Sequence, residues 1–389
     1  MNRRQRLMAT LEGREVDRPP VSFYEIGGLK MDPTDLDSFN VYNDPSWRPL
    51  LELAEEHTDL ILMRSPVRAK SHEVWDTSSA TDSQSLRGEL TQTEEYLEGD
   101  SRVTRTTLKI GGRTMTSVTS RNPDVDTLWV TEHLLKTEDD LKAYLQLPDE
   151  FFDENINITE LIEEDRQLGD RGIVMVDTED PICAAASLFS MENFTILAMT
   201  EQKLFHRLLE MYARQIHART EKVAREFPGH LWRIYGPEYA AEPYLPPRLF
   251  DEYVVRYTGP MVKMIHKYGG FARIHCHGKI RNVLDHIIKM GADATDPIEP
   301  APFGDVELDF VRKEYGKKLV LFGNLEISDI ENTEPDEFEK IVQKSLKDGT
   351  AGQGRGFVLM PSASPFGRKI SDKTLKNYKT IVRKVNEFK

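Results

Sequence analysis

Short apolar runs alternate along the chain with longer stretches in which apolar residues recur at helical spacing. The runs at residues 20–24, 60–63, 172–177, 231–235, 271–275, 292–296, 319–323 and 356–360 predict strands. Helices are expected between them, most clearly at 203–226, 248–267, 281–290, 305–315, 336–347 and 372–387. Glycine follows helical stretches at Gly269-Gly270, Gly291 and Gly316, where a left-handed cap would cost glycine little. A strand, a loop and another helix follow each time. Repeated strand–helix units make a parallel sheet through right-handed crossovers, and eight can close into an α/β barrel. The expected fold is therefore a (β/α)8 TIM barrel, one domain over residues 1–389. An open doubly wound sheet would carry a glycine-rich phosphate loop after its first strand. Glu25-Ile26-Gly27-Gly28-Leu29 matches that loop poorly.

Residues 65–135 break the rhythm. They are rich in Thr and Ser, and extended segments at 106–110 and 113–117 flank Gly111-Gly112, a link that reads as a hairpin. An antiparallel hairpin insertion after the second strand is expected, covering the barrel mouth or meeting a second copy in a homodimer. A separate domain is disfavoured, because about seventy mostly polar residues bury little core.

Composition narrows the function classes. The 389 residues carry a formal charge of −14, which argues against nucleic acid as a partner and, more weakly, against anionic membrane surfaces. The longest apolar runs, such as Val320-Leu321-Phe322, fall far short of the roughly 20 residues that span a bilayer. The basic start from Met1 to Arg6 leads into an amphipathic stretch and not an apolar block, so a signal peptide is not expected and the cytoplasm is. Cys183 and Cys276 are too few for a disulfide framework and fit a reducing compartment.

The chemistry gathers at the predicted strand ends. The strand at 271–275 runs into His275-Cys276-His277-Gly278, and alternation puts both imidazoles on one side with Cys276 on the other. Two imidazoles at a strand end suit a divalent metal such as zinc. Neighbouring strand ends add Tyr235-Gly236-Pro237-Glu238 and Asp296-Pro297-Ile298-Glu299. Glu238, His275, His277 and either Asp296 or Glu299 could complete a tetrahedral site. The alternative is that the histidines only bond to neighbouring loops, and that Cys276 is a small buried hydrophobe. Asn324, after the strand at 319–323, and Ser362, after that at 356–360, are candidates for binding polar substrate groups, as are Tyr235 and Asp296. Asn324 and Ser362 also suit turns.

The opening Arg3-Arg4-Gln5-Arg6-Leu7, with Leu11-Glu12-Gly13 and Asp17-Arg18-Pro19-Pro20-Val21, resembles the start of uroporphyrinogen decarboxylase-like proteins. So do the block at His275, Gly323-Asn324-Leu325 and the closing Pro361-Ser362 with the helix around Asn377-Tyr378. The resemblance implies the same barrel. It also implies one of two chemistries: cofactor-free decarboxylation of tetrapyrroles, or zinc-dependent methyl transfer between a separate corrinoid protein and a thiol or other acceptor. The decarboxylases carry an arginine-rich stretch where this chain has Glu25-Ile26-Gly27-Gly28-Leu29-Lys30, so a substrate with many carboxylates would meet Glu25. The methyltransferases carry a His-X-Cys-Gly block, in which His277 here replaces the cysteine, and a second cysteine that would fall near Ala363. A metal-dependent methyltransferase acting on a small molecule is expected, with His275, His277, Glu238 and Glu299 as ligands. Glu238, His277 and Glu299 would be catalytic, and the corrinoid would arrive on its own protein. A lyase acting on an aromatic or tetrapyrrole acid is the runner-up, and a non-catalytic binding barrel the third reading.

Overall fold

A computed structural model describes residues 1–67 and 86–388. The strands are β1 (Leu60–Arg64), β2 (Thr91–Glu98), β3 (Ser101–Ile110), β4 (Arg113–Arg121), β5 (Leu128–Glu132), β6 (Gly172–Glu179), β7 (Leu231–Tyr235), β8 (Phe271–His275), β9 (Ala294–Asp296), β10 (Val320–Leu325) and β11 (Gly356–Pro361). Seven of them form a curled parallel sheet in the order β1-β6-β7-β8-β9-β10-β11, while β2-β3-β4-β5 form a separate antiparallel sheet.

The strand expected at 20–24 is reduced to one parallel bridge, Val21 with Leu359. Around it, Leu359 N donates to Pro20 O at 2.9 Å, Ser22 N to Leu359 O at 3.1 Å, and Asp59 N to Val21 O at 2.7 Å. The segment thus bonds beside both edge strands, β11 and β1. Proline at 19 and 20 removes the ladder donors on one side, and Tyr24, with φ 59°, turns the chain away on the other. Too little backbone is left to make a strand.

Strict alternation divides the buried side chains of the parallel sheet between two cores. Ile61, Met63, Ile173, Met175, Leu231, Ala294, Val320, Phe322, Val358 and Met360 pack together inside the curl. Their neighbours Val174, Val176, Trp232, Ile234, Ala272, Ile274, Leu321 and Leu359 pack outward with the helices. Among those helices are Gln202–Glu226, Pro335–Thr350 and Asp372–Glu387, close to their expected bounds. Others start later than expected, at Leu284 and Leu308, and the stretch at 248–267 is interrupted by a π-turn at Asp251–Val255. No helix among the described residues is long and apolar enough to cross a membrane.

The insertion holds more than the one hairpin expected, and residues 68–85 of it lie outside the described residues. Gly111 and Gly112, with φ of 56° and 76°, make the tight link between β3 and β4 that the sequence suggested. Leu108 and Met115 anchor this sheet in the outer core, whereas β2 is almost wholly exposed. Its far end is tied to the C-terminal loop by Asp126 N to Phe366 O at 2.9 Å and Arg368 N to Asp124 O at 2.8 Å.

Candidate active site

Side chains on the inner face of the sheet change character toward its C-terminal end. Leu231 is followed inward by Arg233 and Tyr235, and on β8 the inward pair is Arg273 and His275. Register then builds two polar layers. Asp177, Arg233 and Arg273 lie side by side, and Glu179, Tyr235, His275 and Asp296 lie one step further along.

The deeper layer is locked by ion pairs. Arg273 grips Asp296 with two bonds, Nε to Oδ1 at 2.5 Å and Nη2 to Oδ2 at 2.7 Å, both side chains being almost fully buried. Arg233 donates to Asp177 at 2.8 Å and to the Tyr24 hydroxyl at 2.6 Å. Arg219 bridges Glu154 at 2.5 Å and Glu179 at 2.7 Å. A bidentate buried pair is strong only while complete, since removing one partner strands a charge away from water.

Asp296 also holds the first imidazole, with His275 Nδ1 at 2.8 Å from Oδ2. Burial works to raise the pKa of Asp296, but the charge of Arg273 and the hydrogen bonds from Arg273 and His275 outweigh it and hold the group well below the usual carboxylate range. His275 itself is driven well below the ordinary imidazole value, first by burial and then by the charge of Arg233. An ionised Asp296 can only accept, so Nδ1 of a neutral His275 carries the proton and Nε2 carries the lone pair.

His277 sits further out with 41% of its side chain exposed, its ring centroid 4.6 Å from that of His275 and nearly perpendicular to it. Its Nδ1 lies 3.0 Å from Glu299 Oε1, while Glu299 Oε2 accepts from Gly278 N at 2.7 Å. Burial pulls the pKa of His277 down, but the bond and charge of Glu299, with Glu238 and Asp296, more than reverse this. Glu238 turns one oxygen back to Gly236 N at 3.2 Å, and burial raises its pKa. The left-handed Gly236, φ 112°, permits this turn, and a Cβ there would come within 2.2 Å of Cys183 Cβ.

The residues singled out from sequence thus reach one rim, with differing freedom. Asp296 is fully buried with both oxygens engaged, which suits it to positioning His275 and not to meeting a substrate. Tyr235 donates to Glu179 at 3.3 Å. Ser362 donates to Glu326 at 3.1 Å and accepts from Ile327 N at 3.2 Å. Asn324 leaves a buried Oδ1 without a hydrogen bond. Cys276 is fully buried in the outer apolar layer, and burial pushes its thiol pKa well up.

The expected zinc ligands do not assemble as a metal centre. Among the described residues, no three His, Cys, Asp or Glu side chains converge closely enough to hold a metal ion. The donors are turned to one another instead: His277 to Glu299, His275 to Asp296 and Glu238 to its own turn. A neutral His275 with a free Nε2 is a good ligand alone, but the set around it does not fit zinc.

Several site residues escaped the sequence reading. Arg233, Arg273 and Asp177 could have been found as charged residues at inward positions of strands that are otherwise apolar. Glu326 follows directly on β10, and Tyr24 follows the bridge segment, where local pattern carries no signal.

A curled parallel sheet with an ionic rim at its C-terminal strand ends defines an α/β protein of the kind that places chemistry at that rim. The chain belongs to the uroporphyrinogen decarboxylase (URO-D) family, whose sequence model matches residues 113–387. Among solved structures it is similar to a methyltransferase from Methanosarcina mazei, with a TM-score of 0.60 at 15% identity, covering 100% of this chain and 99% of that one. At that identity the likeness shows shared fold. A second match, to the tandem GH20 catalytic modules of the pneumococcal exo-beta-D-N-acetylglucosaminidase StrH, has a TM-score of 0.36 at 10% identity, covering 71% and 72% of the two chains. That similarity is too slight to carry an argument. No curated protein sequence matches.

Proposed function

We propose that this chain is a methyltransferase that moves a methyl group between a corrinoid carried by a separate protein and a small acceptor, using acid–base residues of its own. The observation that carries the reading is the His277–Glu299 pair at the rim. A half-exposed imidazole with Nδ1 on a carboxylate has Nε2 free to take a proton from an acceptor's X–H as X attacks the methyl carbon. Glu299 then stabilises the imidazolium and keeps the ring in place. His275, neutral beside it, offers a lone pair to a substrate hydrogen, and Arg273 and Asp296 hold it there. A corrinoid partner would supply an electrophilic methyl group and retain the electron pair of the carbon–metal bond that breaks. Support for methyl transfer comes from the URO-D family match and from the end-to-end likeness to the Methanosarcina enzyme. We also propose that the segment at 20–22 closes the seven strands into an eight-membered barrel, since its hydrogen bonds reach beside both edges.

Glu25 weighs against the decarboxylase reading for polycarboxylates. Its carboxylate accepts from the Ser364 hydroxyl and from Ser364 N at 3.3 Å, so it is fixed where such a substrate would need a cation. Purified protein is expected to leave uroporphyrinogen unchanged.

The test uses methylcobalamin as a free donor with a panel of thiols, alcohols and amines, following loss of the methyl–cobalt absorbance and the mass of the product. Wild-type protein should yield a methylated product, and His277→Ala should slow it by about 10²–10⁴-fold. No product from any acceptor, or an undiminished rate in His277→Ala, defeats the proposal. Release of carbon dioxide from a porphyrinogen would promote the lyase, and ligand binding without turnover would favour a binding barrel.

A further inference from the structure

We propose that the rim selects a small organic cation, an alkylammonium group, over carboxylates and neutral molecules of the same shape. The inference rests on reading this rim as the substrate site.

Among the described residues, the guanidiniums of Arg233, Arg273 and Arg219 reach the rim already matched. Arg233 is paired with Asp177, Arg273 with Asp296, and Arg219 with Glu179 and Glu154. Arg219 and Arg233 each leave a buried Nε unbonded, but neither has charge left to neutralise an incoming anion.

The carboxyls are in surplus. Glu25, Asp180, Glu238 and Glu326 have no cationic side chain within ion-pairing distance among the described residues. Their bonds come from neutral groups: Ser364 for Glu25, Cys183 N and Thr258 for Asp180, Gly236 N for Glu238 and Ser362 for Glu326. Among the described residues, the ion-pairing partner of Glu299 is His277.

A surplus of acids alone would not make a site, but Glu326 adds a separate sign of a missing partner. The residue is 7% exposed; its Oε2 accepts from Ser362, while Oε1 is buried with no hydrogen bond. Asn324, on the same strand end, leaves its buried Oδ1 unbonded too. Both orphans are acceptors, so the group that would satisfy them is a donor or a positive charge.

Electrostatics agrees. Burial and then the charge of Glu299 lift the pKa of Glu326 to about 7, and burial, with contributions from Glu238 and Glu179, lifts that of Asp180 to about 8. These groups resist ionising chiefly because they are buried beside other carboxylates, and the charge of His277 only partly offsets this at Glu326. A bound cation would relieve that resistance, lower their pKa values and expel protons.

The experiment is calorimetric titration of the full chain near neutral pH with tetramethylammonium chloride, in two buffers of different ionisation enthalpy. Sodium acetate and tert-butanol serve as the anionic and neutral controls. Saturable binding of tetramethylammonium is expected, with a buffer-dependent heat showing proton release, and Glu326→Gln should weaken it about tenfold. Equal or tighter binding of acetate or tert-butanol overturns the proposal, as does a lack of tetramethylammonium binding. An unchanged affinity in Glu326→Gln also overturns it. Cation binding without methyl transfer would leave this inference standing and remove the transferase reading. Methyl transfer to a neutral acceptor without cation binding would do the reverse.

Discussion

The two ends of the parallel strands solve opposite problems with the same alternation. Toward their N-terminal ends the inward residues are apolar, such as Leu231, Ile173 and Val320, and they fill the curl as an ordinary core. Two residues further along, the same face of β7 and β8 carries Arg233 and Arg273, then Tyr235 and His275. The first half gains stability from area removed from water. The second half gains little from its charges in net terms, because burying ions costs about as much as pairing them returns. Its gain is geometric: Asp296 can hold His275 in one orientation because Arg273 holds Asp296. One half makes the sheet stable and the other fixes the orientation of an imidazole.

This contrast can be broken from either side. Arg273→Ala should have the largest effect on stability, about 3–5 kcal/mol by urea unfolding, because Asp296 would be left as an unpaired buried charge. Restoring the balance with Asp296→Asn in the same chain should recover part of the loss, and two independent, additive losses would contradict the pairing. In the apolar half, Leu231→Ala should cost about 2–5 kcal/mol through the cavity it leaves. Unlike Arg273→Ala, it should spare the rim's titration behaviour.

Proton balance sharpens the comparison. The pKa of Asp180 rises on folding from the ordinary value near 3.9 to about 8, so between those values the folded state holds more protons than the unfolded one. Its contribution to stability therefore falls as pH rises across that window. Asp180→Asn, which can still cap the helix beginning at Pro181, should flatten that slope in denaturation measured from pH 5 to 8. His277 titrates above the ordinary imidazole value, so the rate of methyl transfer should climb with pH through a midpoint above about 6.5. Glu299→Gln should move that midpoint down, and an unmoved midpoint would separate His277 from the rate. The smallest effect belongs to the exposed antiparallel sheet, where Trp129→Ser, at a side chain 57% exposed, should change stability by about 0.5 kcal/mol or less.

Much of this was legible in one dimension. Seven of the strands in the parallel sheet, the Gly111-Gly112 hairpin and the gathering of His275, His277, Glu238 and Glu299 at one rim follow from period, glycine placement and strand polarity. Those signals are local, and a strand's alternation survives in any tertiary setting that buries one face. The inward side of His275 and the outward side of Cys276 were fixed in the same way. Period could not weigh the segment at 20–24, where prolines and a left-handed Tyr24 leave one bridge in place of a strand.

Partnership is what only the tertiary structure decided. Which carboxylate meets which imidazole depends on register between strands far apart in sequence, and a shift of one residue would exchange every inward side chain for its neighbour. Residue type and strand-end position favoured a shared metal, because four good ligands stood at neighbouring strand ends. In three dimensions Asp296 is taken by Arg273 and His275, Glu299 by His277 and Gly278, and Glu238 by its own turn. The sequence alone determined that charged groups would meet at this rim, since alternation and strand direction are properties of the chain. Their division into closed pairs, with Glu326 and Asn324 left open, was decided by side-chain distances that exist only once the strands lie side by side.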